Sequence, residues 1–101
     1  MADIEITNEW ILKEDEKKIV DKLLKEYYSK IQRMTKSPIK LKINLKEYDK
    51  DGKKSKFSID SQLIFSGKML SSSSWDWDLA RAIHKAMIKL ESEAEHKWKK
   101  R

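Results

Sequence analysis

The side chains of this 101-residue chain that could do chemistry are cations rather than nucleophiles. They recur on what reads as the last helix, at Arg81, Lys85 and Lys89, and continue through Lys97, Lys99, Lys100 and Arg101. Two more, Lys22 and Lys25, stand in an earlier helical pattern. From Lys36 to Lys56 there are eight lysines against Glu47, Asp49 and Asp51, and the last five residues add four cations and no acid. A lysine ammonium meets phosphate as a mobile point charge, and each such contact releases condensed counterions. The chemistry on offer is polyanion binding by helical basic surfaces; the competing reading is a solvated lysine-rich surface balanced by nearby acids.

Other constellations are weaker. Four tryptophans invite a base-stacking reading. For Trp75 and Trp77 the expectation is one in the core and one exposed. Trp10, ahead of the first helix, is expected to pack as a core or staple residue. Trp98, within the basic tail, suits either stacking on a base or packing on the sheet edge. Asp49-Lys50-Asp51-Gly52 has the look of a calcium loop, but glycine falls fourth rather than sixth and no glutamate closes the loop. A hairpin reading fits it better. His84 and His96 lie 12 residues apart, over three helical turns, too far to share a metal. No nucleophile–base pair, carboxylate pair or phosphate-cradling glycine loop stands out, so the chain is read as non-enzymatic, without cofactor or metal.

Composition narrows the partner. The formal net charge is +6 and 40% of residues are charged, with a pI near 9.4. Such a balance favours nucleic acid first and an anionic membrane surface second. Apolar residues make up 39%, enough for a two-layer core. The absence of cysteine excludes disulfides and thiolate metal sites. No apolar run approaches the roughly 20 residues that span a bilayer, and the N-terminus lacks signal-peptide features. The expectation is one cytoplasmic domain over residues 1–101, with a basic C-terminal tail at 96–101.

The elements that must position the cations follow from period. Ile4-Glu5-Ile6 suits a short strand. Leu12, Ile19, Val20, Leu23, Leu24, Tyr27, Ile31 and Met34 form one helical stripe from Leu12 to Met34. Acids at Glu14, Asp15 and Glu16 favour its start, and Ser37-Pro38 ends it. Ile39, Leu41, Ile43 and Leu45 then alternate with Lys40, Lys42, Asn44 and Lys46 as a half-buried strand. These lysines face away from the helices and are a second, lesser candidate surface. Phe57, Ile59, Leu63 and Phe65 repeat the alternation, with Ser61 interrupting the apolar face. Ser66-Gly67 signals a hairpin into a strand from Lys68 to about Ser74. Leu79, Ala82, Ile83, Ala86, Met87, Leu90 and Ala94 stripe a last helix starting near Asp78, capped by Asp76 or Asp78. The order is β-α-β-β-β-α, an α+β fold with two helices on one face of a four-stranded sheet.

The last third of the chain resembles the ribosome hibernation and ribosome-associated inhibitor family, whose fold is similar to a double-stranded-RNA-binding domain (dsRBD-like) with an extra first strand. The resemblance rests on Asp78-Leu79-Ala80-Arg81-Ala82-Ile83, on Lys89-Leu90-Glu91 and on the small residues Ser71 to Ser74; Lys22 and Lys25 also fit the pattern. Trp75-Asp76-Trp77 departs from it where a glycine is usual. Ala80 stands where tyrosine is common, His84 and Ile88 where acids are common, and Ser92 where arginine is frequent. The resemblance implies a remote member of the short form that occupies the small ribosomal subunit where messenger and transfer RNAs would sit. It also implies rRNA phosphate contacts from Lys22, Lys25, Arg81, Lys85, Lys89, Lys97, Lys99 and Lys100. Translation would be blocked by steric exclusion, as a stress response protecting idle ribosomes. The expected partner is the small subunit and its rRNA, with no membrane or small-molecule substrate, and a monomer off the ribosome.

Two other readings stay open. One is a stand-alone binder of structured or double-stranded RNA, though the Lys-Lys-x-x-Ala-Lys type helix start usual there is absent. The other is a protein-interaction module with incidental basic charge, using a sheet edge or the Trp75-Asp76-Trp77 segment.

Overall fold

The alternation in Ile39–Lys46 organises the molecule, because it gives the sheet one apolar and one polar face. The computed structural model describes residues 3–50 and 54–99. Its elements in chain order are β1 (Ile4–Thr7), a 3-10 turn (Glu9–Ile11), α1 (Glu14–Thr35), β2 (Ile39–Lys50), β3 (Lys54–Phe65), β4 (Lys68–Asp76) and α2 (Leu79–Lys99). The strands form one sheet in the order β1-β2-β3-β4. β1 runs parallel to β2, and the other pairs are antiparallel. The two helices cover one face of this α+β fold, and the other face is open.

The apolar face carries Ile39, Leu41, Ile43 and Leu45 of β2, Phe57, Ile59, Leu63 and Phe65 of β3, and Leu70 of β4, all buried. Val20, Leu24 and Ile31 of α1 and Ala82, Ile83, Met87 and Leu90 of α2 close on it. Tyr28 is buried among them because its hydroxyl donates to the Ile39 carbonyl at 2.9 Å. Burying that hydroxyl without a partner would cost about 1–3 kcal/mol.

α2 packs closely on β4 through small residues. Ser72 Oγ donates to the Ala86 carbonyl at 3.0 Å, and Ser74 Oγ to the Ala82 carbonyl at 3.3 Å. A larger side chain at 72, 82 or 86 would hold helix and strand apart. Ser61 belongs to the same arrangement: it breaks the apolar row of β3 but lies fully inside, its Oγ 2.9 Å from Ser72 Oγ. The hydroxyls thus form a chain from strand to strand to helix backbone.

The first helix differs from its sequence expectation. Leu12 is extended (φ −90°, ψ 147°) and follows the 3-10 turn instead of opening α1. Asn8 enters that turn in the left-handed region (φ 69°), and its Nδ2 donates to Asn44 Oδ1 and to the Leu45 carbonyl, each at 3.1 Å. This anchor fixes the path before the helix, so Leu12 is buried from outside it. The Glu16 carboxylate accepts the Lys13 N–H at 2.8 Å and caps the helix start. Trp10, expected in the core, is 79% exposed because the 3-10 turn directs it outward, and Ile19 of the expected stripe is 42% exposed.

At the other end, α1 stops with Lys36 in the left-handed region (φ 53°), its N–H bonded to the Gln32 carbonyl at 2.9 Å. The β3–β4 hairpin turns through Ser66 (φ 50°) and Gly67 (φ 74°), the two positive values a type I′ turn requires. The proposed Asp51-Gly52 turn lies outside the described residues. Its flanking strands extend beyond the alternating core, to Lys50 and from Lys54. The C-terminal basic segment is helical through Lys99, so what reads as a tail in the sequence continues α2.

Candidate nucleic-acid interface

Each helix must keep its apolar stripe on the sheet, and that fixes where its cations go. The seam between α1 and α2 is marked by Tyr27 and His84, whose rings meet edge-on at 5.6 Å. The Tyr27 hydroxyl lies 2.7 Å from His84 Nδ1, and Lys30 Nζ sits 5.3 Å from the Tyr27 ring centre. Burial raises the Tyr27 phenol above its ordinary value, helped by the negative charges of Glu91 and Glu26.

Lys22 and Lys25 precede Tyr27 by five and two residues, well round α1 from it. At about 100° per residue they point away from α2. Lys22 is exposed. Lys25 is exposed too, with Nζ 3.1 Å from Asp21 Oδ2, one turn back. A surface pair of this kind contributes about 0–1 kcal/mol and yields readily to a phosphate.

On α2 the cations divide by role. Arg81 is exposed in the first turn, while its N–H is accepted by Asp78 Oδ1 at 3.1 Å. Of the two cap candidates, Asp78 is therefore the one that caps. Asp76 does something else. It is nearly buried; its Oδ1 accepts the Asp78 N–H at 2.9 Å, and its Oδ2 lies 2.8 Å from Lys85 Nζ. The Lys85 hydrogen bond, reinforced by that N–H, holds the Asp76 carboxyl below the usual carboxylate range.

Lys85 also donates to the Trp75 carbonyl at 3.3 Å, and Lys89 to the Ser73 carbonyl at 3.2 Å. β4 is the last strand of the sheet, so these lysines cover carbonyls along its free edge, a common protection against edge pairing. Lys97 is exposed near the end of α2. Lys99 lies in the last helical turn, and its side chain, like that of Trp98, falls outside the described residues, as does Lys100 altogether.

The structure therefore brings Lys85 and Lys89 together on the β4 flank and leaves Lys22 and Lys25 on the far side of α1. The seam between them carries Glu26, Lys30, His84 and Glu91 rather than cations alone. Of the candidate cations, Arg81, Lys22 and Lys97 face solvent with no ion pair among the described residues.

The tryptophans fall differently from their sequence expectation. Trp75 is 49% and Trp77 45% exposed, so neither is in the core. β4 ends at Asp76, and the bend that follows frees Trp77 from strand alternation. Its ring meets Trp75 edge-on at 6.2 Å. Lys56 Nζ lies 4.1 Å from the Trp75 ring centre. Tyr48, 50% exposed, stands opposite Lys56 in the β2–β3 register. Sequence reading passed over Tyr48 and Lys56, although β-strand parity with Lys46 and with Ser58 would have placed both on the open face.

Among the described residues there is no group of three or more His, Asp or Glu able to hold a metal ion, and no helix is long and apolar enough to cross a membrane. No protein-family model matches the sequence, and no curated protein matches it. Among solved structures, the N-terminal domain of Protein Y from Thermus thermophilus is similar over 94% of this chain and 96% of that domain, with a TM-score of 0.70 at 20% identity. The class defined here is an α+β fold with two helices on one face of a four-stranded mixed sheet. It is the fold of the Protein Y N-terminal domain.

Proposed function

We propose that this chain is a non-enzymatic, cytoplasmic ribosome-binding hibernation factor, acting as one domain. It occupies the small-subunit region of messenger and transfer RNA and blocks translation by filling that space. The observation supporting this reading is a coincidence. The segment whose residues most resemble the hibernation family forms β4 and α2 of a fold shared with the Protein Y domain along nearly its whole length.

In this reading Arg81, Lys97 and Lys22 contact rRNA phosphates directly, joined by Lys25 once it leaves Asp21 and by Lys99 and Lys100. Lys85 and Lys89 contribute positive potential while their ammoniums stay on β4. Phosphate contacts of this kind position a protein without reading base sequence.

Co-sedimentation with small subunits, large subunits and intact ribosomes, at low and moderate salt, tests the proposal. Saturable, stoichiometric binding to the small subunit or whole ribosome supports it, with translation inhibition as the next assay. Failure to pellet with any of them, alongside binding to naked duplex RNA, replaces it with a general RNA binder. Binding to neither leaves a protein-interaction role.

A further inference from the structure

We propose that the open face of the sheet, at its Tyr48–Lys56–Trp75 end, is a stacking platform for unpaired nucleotides of single-stranded RNA. This surface lies on the side of the sheet away from both helices, so the proposal does not rest on the ribosome reading.

Strand register assembles the platform. Lys46, Ser58 and Trp75 form one row across β2, β3 and β4; Tyr48 and Lys56 form the next. All are on the face opposite the buried Leu45, Phe57 and Ile59. Tyr48 and Trp75 are thus two strands apart, about 10 Å in the hydrogen-bonding direction, with a lysine between them. An exposed indole on the edge strand gains little for the fold, yet this one is held in place. Trp77 braces its edge with the rings at 89°, and Lys56 and Lys85 approach its ring centre at 4.1 and 5.8 Å.

The charges favour a nucleic-acid occupant over an acidic protein segment. Lys85 is committed to Asp76, whereas Lys56 rests on the ring with no carboxylate partner among the described residues. A base that stacks on Trp75 displaces the Lys56 ammonium from the ring. That ammonium is then within a side chain's reach of the phosphate attached to the base. Lys46 and Lys42 continue the positive row along β2. Of the carboxylates on this face, Glu5 is 3.6 Å from Lys40 at the opposite edge, and Asp60 lies one row beyond Ser58. Aromatic rings interleaved with lysines serve bases and phosphates together, while an acidic peptide would use the lysines and leave the rings unused.

The test is fluorescence anisotropy of a labelled short oligouridylate with the full chain, in parallel with a duplex RNA and an oligoglutamate. Expected are quenching of tryptophan emission on saturation and about a tenfold weaker oligouridylate affinity in Trp75→Ala. Trp75→Phe retains most of the affinity, Lys56→Ala loses part of it, and duplex binding is unchanged in Trp75→Ala. Melting curves matching the parent show that each variant is folded. Oligouridylate affinity unchanged in both Trp75→Ala and Tyr48→Ala overturns the proposal. So does a preference for oligoglutamate that the same variants abolish. Because the probe is free RNA, failure of ribosome co-sedimentation leaves this result interpretable.

Discussion

Lys85 Nζ lies 2.8 Å from Asp76 Oδ2, joining the second turn of α2 to the last residue of β4. The contact holds together three features. It neutralises a carboxylate that is nearly buried; it positions that carboxylate to accept the Asp78 N–H at the helix start; and it sets the same ammonium on the Trp75 carbonyl. A lysine that reads in sequence as free charge is thus partly a structural device closing the strand–helix corner.

Lys85→Ala is therefore expected to lower Tm by several degrees, and by more than Lys89→Ala, whose loss removes one exposed carbonyl contact. Thermal melts by circular dichroism compare them. Acid separates the cause. The Asp76 carboxyl is depressed in the folded chain, so the unfolded state binds its proton first as pH falls. Its stabilisation is present above the ordinary Asp value, about 3.9, and is lost as pH drops below it. Asp76→Asn starts from a lower Tm but declines less than the parent below about pH 4. Parallel declines would assign the acid sensitivity to other carboxylates.

Tyr27 gives the opposite limb. Its phenol is raised above the ordinary value, about 10, by burial first and then by Glu91 and Glu26. The folded state holds the proton that the unfolded state releases, so this contribution is complete below pH 10 and is lost as pH rises through the folded value. Urea titrations between pH 9 and 11 should show stability falling in the parent and a flatter profile in Tyr27→Phe. Tyr27→Phe also removes the hydroxyl facing His84 Nδ1, costing about 1 kcal/mol at neutral pH.

Most of the architecture was legible because period reports it directly. The alternation of β2 and the 3.6-residue stripe of α2 identified the buried sets, including Ala82, Ala86 and Ala94, before any packing was known. What escaped depends on contacts between distant segments. Leu12 fits the α1 stripe, but Asn8 bonding to Asn44 and Leu45 directs the chain through a 3-10 turn first. Trp10 then projects outward. Ser61 looked like a flaw in a strand, and its partner Ser72 shows it to be a link between β3 and the α2 backbone. At the candidate interface the cations were visible as residues. Their division into solvent-facing charges and edge-covering lysines was not, because it turns on Asp76 and on β4 being the sheet's last strand.

The close α2–β4 contact makes a size test possible. Ala86→Leu must push the helix off Ser72, so overpacking should cost about 1–3 kcal/mol, read from urea midpoints at unchanged m-value. Gly67→Ala meets no neighbouring atom within 4 Å, and its φ of 74° leaves backbone strain alone, about 1 kcal/mol. Lys36→Gly should gain a comparable amount, because a left-handed C-cap strains any side chain. A loss in Lys36→Gly would show that the α1 terminus is fixed by something other than its cap.

The decisive functional prediction concerns which cations meet phosphate. If the helices bind rRNA, log affinity falls linearly with log salt, and each phosphate contact removed lowers the slope by roughly one. Arg81→Ala and Lys97→Ala remove charges that face solvent, so both should weaken ribosome association and reduce the slope while leaving Tm unchanged. Lys22→Ala tests α1 in the same way. Lys85→Ala should differ, with a lower Tm, and its effect on binding should be smaller once compared at a temperature where the variant is fully folded. Sedimentation across a salt series, with a melting curve for each variant, separates these outcomes. Equal slopes in Arg81→Ala, Lys97→Ala and the parent would remove the helical surface from the interface. An unchanged slope in those two together with a reduced one in Lys56→Ala would transfer the phosphate contacts to the open face of the sheet.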